Sequence, residues 1–207
     1  MKKTIIAATM ALGMGLSAMA QSTNPLLERR YNTPYEIPPF EKITTDNYRE
    51  AFLRGMEEQK KEIDAIVNNA EAPTFQNTIA ALDRSGQLLN RTAGVFYGLS
   101  RSCSTPELQN LESELSPLLS AHSDYINMNE GLFLRVKAVY DGQDKLNLNT
   151  EEKRLLEKTY KGFVRGGAML DDAKKQRRSE INQQLAKLQL QFNQNLMHDT
   201  NNSYVTV

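Results

Sequence analysis

The 207-residue chain carries 25 Lys and Arg residues against 25 Asp and Glu residues, so its formal net charge is zero. A balanced charge gives no general attraction for nucleic acid, and we expect no nucleic-acid partner. The single cysteine, Cys103, excludes an internal disulfide framework. Since the sequence indicates no base beside Cys103, a structural or incidental thiol is a better interpretation than a nucleophile.

Residues 1–20 have the pattern of a secretory signal peptide. Two lysines precede an apolar run, and Ala18 and Ala20 form the A-x-A pattern of a cleavage site. We expect export to the periplasm or the extracellular space, with cleavage after Ala20. An uncleaved anchor is the alternative, but the run is short for a membrane span, and we expect no stable membrane insertion after cleavage.

Residues 21–42 are predicted to form an extended, proline-rich lead segment. The pairs Asn24-Pro25, Thr33-Pro34 and Pro38-Pro39 disfavour helix locally. The segment also contains more apolar and aromatic residues than a free linker requires. We therefore expect it to lie against the folded body.

Residues 43–202 have the apolar period of helices and predict an all-α, irregular array of about six helices. The first predicted helix is capped by Thr45 or Asp46 and ends at Asn68-Asn69. The second begins at Pro73-Thr74 and continues past Phe96, and its Gly94 and Gly98 suggest close helix packing.

The remaining helices have clear start and stop signals. The third opens with Thr105-Pro106, the fourth ends at Gly142, the fifth opens at Thr150 and the sixth at Leu170-Asp171. Only residues 203–207 have a strand-like composition, and we take them as the start of a following segment.

The sequence offers no catalytic, cofactor-binding or metal-binding residues. Its two histidines, His122 and His198, are not part of an H-E-x-x-H pattern, and His122 lies on an apolar helical stripe, where a core histidine is expected. Carboxylate pairs occur at Glu57-Glu58, at Glu112 with Glu114, and at Asp171-Asp172. Each is interpreted as a solvated helix face or a first turn.

Residues 155–170 (LLEKTYKGFVRGGAML) contain three glycines and three cations. The glycines do not match a phosphate-binding loop, because no strand precedes them and the spacing is wrong. Gly166-Gly167 predicts the end of one helix. Lys158, Lys161 and Arg165 are expected on a solvated face, with the lining of a peptide channel as the alternative.

The same stretch, with several others in order along the chain, resembles the N-terminal region of peptidyl-dipeptidases (dipeptidyl carboxypeptidases) of the thimet-oligopeptidase family. The other matching stretches are Tyr31–Pro34, Pro39–Ile43, Glu71–Ile79, Leu82–Gly86, Gln184–Leu188 and Gln191-Phe192. They occur in order, and the resemblance as a whole extends over nearly all of the chain after residue 20.

This resemblance implies a largely helical, clam-like zinc metallopeptidase that removes dipeptides from the C-termini of short peptides. Its N-terminal helices would form one wall of a channel that holds one zinc ion, bound by an H-E-x-x-H helix and a further glutamate. The zinc-bound water attacks the peptide bond in such enzymes.

The zinc-binding half of that family has no counterpart in this sequence. We therefore expect an N-terminal fragment that lacks the zinc site, is inactive alone, and exposes apolar surface where the missing half would pack. The alternative is an exported, non-catalytic helical module that binds peptides or proteins, for which a stable and monodisperse domain is expected.

Overall fold

The computed structural model describes residues 24–203, and this part of the chain is helical without a β-strand. The α-helices are α1 (Thr45–Val67), α2 (Ala81–Asp83), α3 (Gln87–Ser102), α4 (Pro106–Asn127), α5 (Glu130–Asp141), α6 (Thr150–Gly166) and α7 (Asp172–Asn202). The prediction of an all-α array of about six helices is confirmed, since six of the seven described α-helices have at least twelve residues. The predicted signal peptide, and residues 204–207 of the predicted strand-like end, lie outside the described residues.

Side-chain caps explain where five of the described helices begin. At α1, the Thr44 hydroxyl accepts from the Asn47 amide (3.2 Å) and the Asn47 side chain accepts from the Thr44 amide (3.0 Å). The predicted caps Thr45 and Asp46 are therefore wrong, because both lie inside the first turn. Asn149 and Glu152 form the same reciprocal pair at α6. Single caps at α4, α5 and α7 come from Thr105, Asn129 and Asp171.

The predicted second helix is two separate pieces. A π-helical turn (Phe75–Ala80) and α2 end at a turn, and α3 begins after Gly86. Gly86 has a φ of +72° and its amide donates to Glu62 Oε2 at 2.7 Å. A Cβ at Gly86 would lie 2.4 Å from the Gln59 side chain, so this turn requires glycine. The apolar period continues across the break, which is why the sequence suggested one helix.

Close helix packing occurs at a different glycine from those predicted. Nothing lies within 4 Å of a Cβ built at Gly94 or Gly98, so the expectation for these two is wrong. At Gly55 of α1, a Cβ would instead meet the Leu89 backbone of α3 at 2.9 Å. The missing side chain at Gly55 lets α1 and α3 approach closely.

The core consists of two apolar clusters, and α1 contributes to both because it packs against α3, α4 and α5. In the first cluster, Phe96 lies between Tyr48 and Phe52, with ring centroids 5.2 and 5.4 Å away in edge-to-face geometry. The second cluster joins the end of α1 to α5 and α6, where Phe133 stacks on Tyr160 at 6.0 Å.

The lead segment lies against the body only in its first half. Leu26 and Tyr31 are buried, and Arg91 of α3 donates to the Leu26 carbonyl oxygen at 3.1 Å. The expectation is wrong for the second half, where the large side chains of Tyr35, Ile37 and Phe40 are exposed. The segment is also not simply extended, since it contains the 3₁₀ turns Pro25–Leu27, Pro34–Glu36 and Phe40–Lys42.

Among the helices of residues 24–203, none is both long enough and apolar enough to span a membrane.

Candidate interaction surface

The two histidines occupy unlike environments. His122 is buried, and its Nε2 lies 2.8 Å from Gln59 Oε1 of α1. Burial, with the nearby charge of Lys60, lowers the His122 pKa and favours the neutral ring. The prediction of a core histidine is confirmed. His198 is exposed on α7, with its Nδ1 3.6 Å from Asp199 Oδ1.

A zinc site would need about three protein ligands in one place. Within residues 24–203, His, Cys, Asp and Glu side chains nowhere gather in a group of three that fits a metal ion. These residues therefore do not fit a zinc ion of the kind that the family resemblance implies. Cys103 is exposed, just after α3 ends.

The predicted carboxylate pairs mostly form surface ion pairs. Glu57 lies 2.7 Å from Lys61, and Glu58 lies 3.0 Å from Arg54. Asp171 caps α7 by accepting from the Lys174 amide at 2.9 Å. These contacts confirm the interpretation as solvated faces and first turns.

The surroundings of Glu112 and Glu114 differ from each other. Burial raises the pKa of Glu112, whereas the bond from Arg49 lowers the pKa of Glu114. Arg49 Nε donates to Glu114 at 2.9 Å and so links α1 to α4. Residues two apart on a helix do not face each other, so the two carboxyl groups form no acid–base pair.

The glycine-rich stretch is a helix end, as predicted. Leu156 and Phe163 are buried, and Gly167 ends α6 with a φ of +92°. Lys158, Lys161 and Arg165 are exposed. Lys161 Nζ pairs with Glu157 at 2.5 Å, which agrees with the predicted solvated face.

Helix α7 exposes a row of large apolar side chains. None of its 31 residues is fully buried. Five large apolar side chains share one side of the helix and are 40–66 % exposed: Ile181, Leu185, Leu188, Phe192 and Leu196. We call these five residues the α7 stripe. Their spacing is that of a helix face made to be buried.

The side of α7 that contacts α4 differs from the α7 stripe, because it is half-buried and mostly polar. The two helices run antiparallel, since Asn182 Nδ2 donates to Asp124 Oδ1 (2.7 Å) and Gln194 Nε2 donates to Ser113 Oγ (3.5 Å). The half-buried row on this side is mostly polar: Lys175, Ser179, Asn182, Ala186, Leu190, Gln194 and Met197. At 3.6 residues per turn, this row lies roughly 130° around the axis from the α7 stripe. Helix α7 therefore packs by a mostly polar side and leaves its apolar side uncovered.

A groove with a volume of about 710 Å³ lies between α4 and α7. Its walls are mainly amide and hydroxyl side chains: Ser113, Ser116, Pro117, Glu180, Gln183, Gln184, Lys187, Leu190, Gln191 and Gln194. Each glutamine amide can both donate and accept a hydrogen bond, as a peptide backbone does. The sequence reasoning missed this groove, because its residues are ordinary surface types until two helices meet.

Comparison with known proteins identifies relatives among peptidases, although no protein-family model matches the chain. The dipeptidyl carboxypeptidase of Salmonella typhimurium is 41 % identical over 176 residues, which is 85 % of this chain and 26 % of that protein. The dipeptidyl carboxypeptidase of Escherichia coli is 39 % identical over 174 residues, 84 % of this chain and 25 % of that protein. Oligopeptidase A of Escherichia coli is 29 % identical over 178 residues, 86 % of this chain and 25 % of that protein.

The chain is therefore similar to one part of these dipeptidyl carboxypeptidases and oligopeptidases, which fits a fragment of a thimet-oligopeptidase-like protein. This confirms the resemblance seen in the sequence. The chain spans about a quarter of the length of the curated relatives that it matches.

Proposed function

We propose that this chain is a helical, non-catalytic part of a zinc peptidase that removes dipeptides from the C-termini of short peptides. The higher identity to the dipeptidyl carboxypeptidases, 41 %, than to oligopeptidase A, 29 %, supports this activity. Its helices form part of the channel wall. The zinc ligands lie outside residues 24–203, and the chain alone is inactive.

A chimera tests this proposal. The aligned segment of the Escherichia coli dipeptidyl carboxypeptidase is replaced by residues 24–203 of this chain. We expect the chimera to release C-terminal dipeptides from an N-terminally blocked peptide and to lose this activity when a chelator removes zinc. The same enzyme with the segment deleted serves as the control. A folded chimera without dipeptide release, or cleavage by the isolated chain with added zinc, would contradict the proposal.

We also propose that the protein is exported. The lysines, the apolar run and the A-x-A pattern of residues 1–20 support this. Intact-mass measurement of the secreted protein is expected to show a chain that begins at Gln21. Secreted material that begins at Met1 would contradict cleavage after Ala20.

A second candidate function is a peptide-binding module without catalysis, and the groove between α4 and α7 favours it. Its four glutamines offer donors and acceptors to an extended peptide. This candidate predicts that the isolated chain binds short unblocked peptides, and that Gln191→Leu weakens binding. If the isolated chain binds no peptide and the chimera is active, the second candidate is contradicted and the peptidase proposal is supported.

A further inference from the structure

We infer that the α7 stripe is the surface on which another helical segment of the same peptidase packs, a segment outside residues 24–203. This inference rests on the proposed function. The alternative is that a second copy of this chain covers the α7 stripe.

The spacing of the stripe indicates the shape of its partner. Ile181, Leu185 and Leu188 are separated by four and three residues, and Phe192 and Leu196 follow at steps of four. Such spacing forms a straight seam along one side of a helix, which suits another helix lying along it. The stripe spans sixteen residues, from Ile181 to Leu196, and its length is roughly 22 Å at a rise of 1.5 Å per residue.

The hydrogen bonds that hold α7 on the body within residues 24–203 do not involve the stripe. Its α4-facing side is held by polar bonds, such as Asn182 to Asp124 at 2.7 Å. If α7 had no other partner, rotating it to bury its leucines would remove apolar surface from water, which is favourable. The apolar side of an amphipathic helix ordinarily faces other apolar residues, so the stripe is expected to have a partner other than α4.

The side chains that flank the stripe favour an occupant from the same protein over a second copy. Helical pairs formed between separate chains commonly use charged flanking residues to select the partner and its orientation. Along the stripe itself the flanking residues are uncharged, as at Gln189 and Asn195, and the cations Arg177 and Arg178 lie one turn before Ile181. A segment of the same polypeptide needs no such selection. The relatives, about four times as long as the aligned region, supply enough further chain for this role.

The test compares one substitution in two settings. Leu188→Gln lies in the stripe, and Leu134→Gln on α5 is its matched control, since the two leucines are 60 % and 56 % exposed. In the isolated full chain, both variants are expected to keep the helical circular dichroism and the unfolding midpoint of the unchanged chain. In the chimera described above, Leu188→Gln is expected to lower the unfolding midpoint by several degrees and Leu134→Gln to lower it clearly less.

Two results would overturn the inference. One is an equal shift for Leu188→Gln and Leu134→Gln in the chimera. The other is a discrete dimer of the isolated chain, seen by light scattering, that Leu188→Gln converts to a monomer. The proposed function fails separately, because a folded chimera that releases no dipeptides speaks against the activity while its unfolding midpoint still reports on the stripe.

Discussion

Helices α1 and α7 are the two longest of the described chain, and they differ in what covers their apolar sides. Helix α1 has 23 residues and buries seven of them between α3, α4 and α5. Helix α7 has 31 residues and buries none. Both have large apolar residues at helical spacing. The difference shows that such spacing indicates which side of a helix prefers burial, while the neighbours decide whether burial occurs.

The largest expected difference between the two helices is the effect of removing a phenylalanine ring. Phe52 of α1 is 0 % exposed and contacts Phe96, so Phe52→Ala is expected to lower the free energy of unfolding by about 3–5 kcal/mol. Phe192 of α7 is 66 % exposed, so Phe192→Ala is expected to change it by less than about 0.5 kcal/mol. Urea unfolding of the full chain, followed by circular dichroism, measures both.

The comparison of α1 with α7 would break if Phe192→Ala destabilised the isolated chain about as much as Phe52→Ala. The α7 stripe would then be covered in solution by the chain itself or by a second copy. Repeating the unfolding at several protein concentrations separates these two causes, because only association makes the midpoint depend on concentration.

A smaller effect is expected from filling the contact that brings α1 close to α3. Gly55→Ala places a Cβ 2.9 Å from the Leu89 backbone, and overpacking of this kind costs about 1–3 kcal/mol. Gly98→Ala adds a methyl group in open space on α3 and is expected to stabilise by about 0.5–1 kcal/mol. Equal effects of the two variants on the urea midpoint would contradict the close packing at Gly55.

The helices could be predicted well from the sequence because their signals are local. Thr105, Asn149 and Gly142 act within one turn of their own positions. The break at Gly86 could not be predicted from the apolar period, because it depends on Gln59 and on Glu62 of another helix. The position of the close helix contact could not be predicted for the same reason. It was expected at Gly94 and Gly98, but it lies at Gly55.

The interaction surface was predictable only in part. The apolar residues of α7 are visible in the sequence, and their exposure agrees with the apolar surface expected of a partial chain. The groove against α4 could not be foreseen, because Ser113 and Gln194 are 81 residues apart and unremarkable alone. Sequence periodicity does not state which side of a helix faces the body, and in α7 it is the polar side.

The smallest expected effect concerns pH and the contact between α1 and α4. Burial and Lys60 lower the pKa of His122 in the folded chain, whereas an unfolded histidine titrates near about 6.5. Below that pH, unfolding takes up a proton, so the free energy of unfolding falls until the lowered folded pKa is reached. One histidine can contribute at most about 1.4 kcal/mol per pH unit to this fall.

His122→Gln removes the titrating ring and leaves a side chain that can still bond to the Gln59 amide. We expect the variant to lose less stability than the unchanged chain when urea unfolding is measured from about pH 7 to about pH 5. Parallel pH curves for the two proteins would mean that His122 becomes protonated without leaving its place. In that case the contact between α1 and α4 would be looser than the 2.8 Å bond from His122 to Gln59 indicates, and the contrast between a tightly packed α1 and an uncovered α7 would weaken.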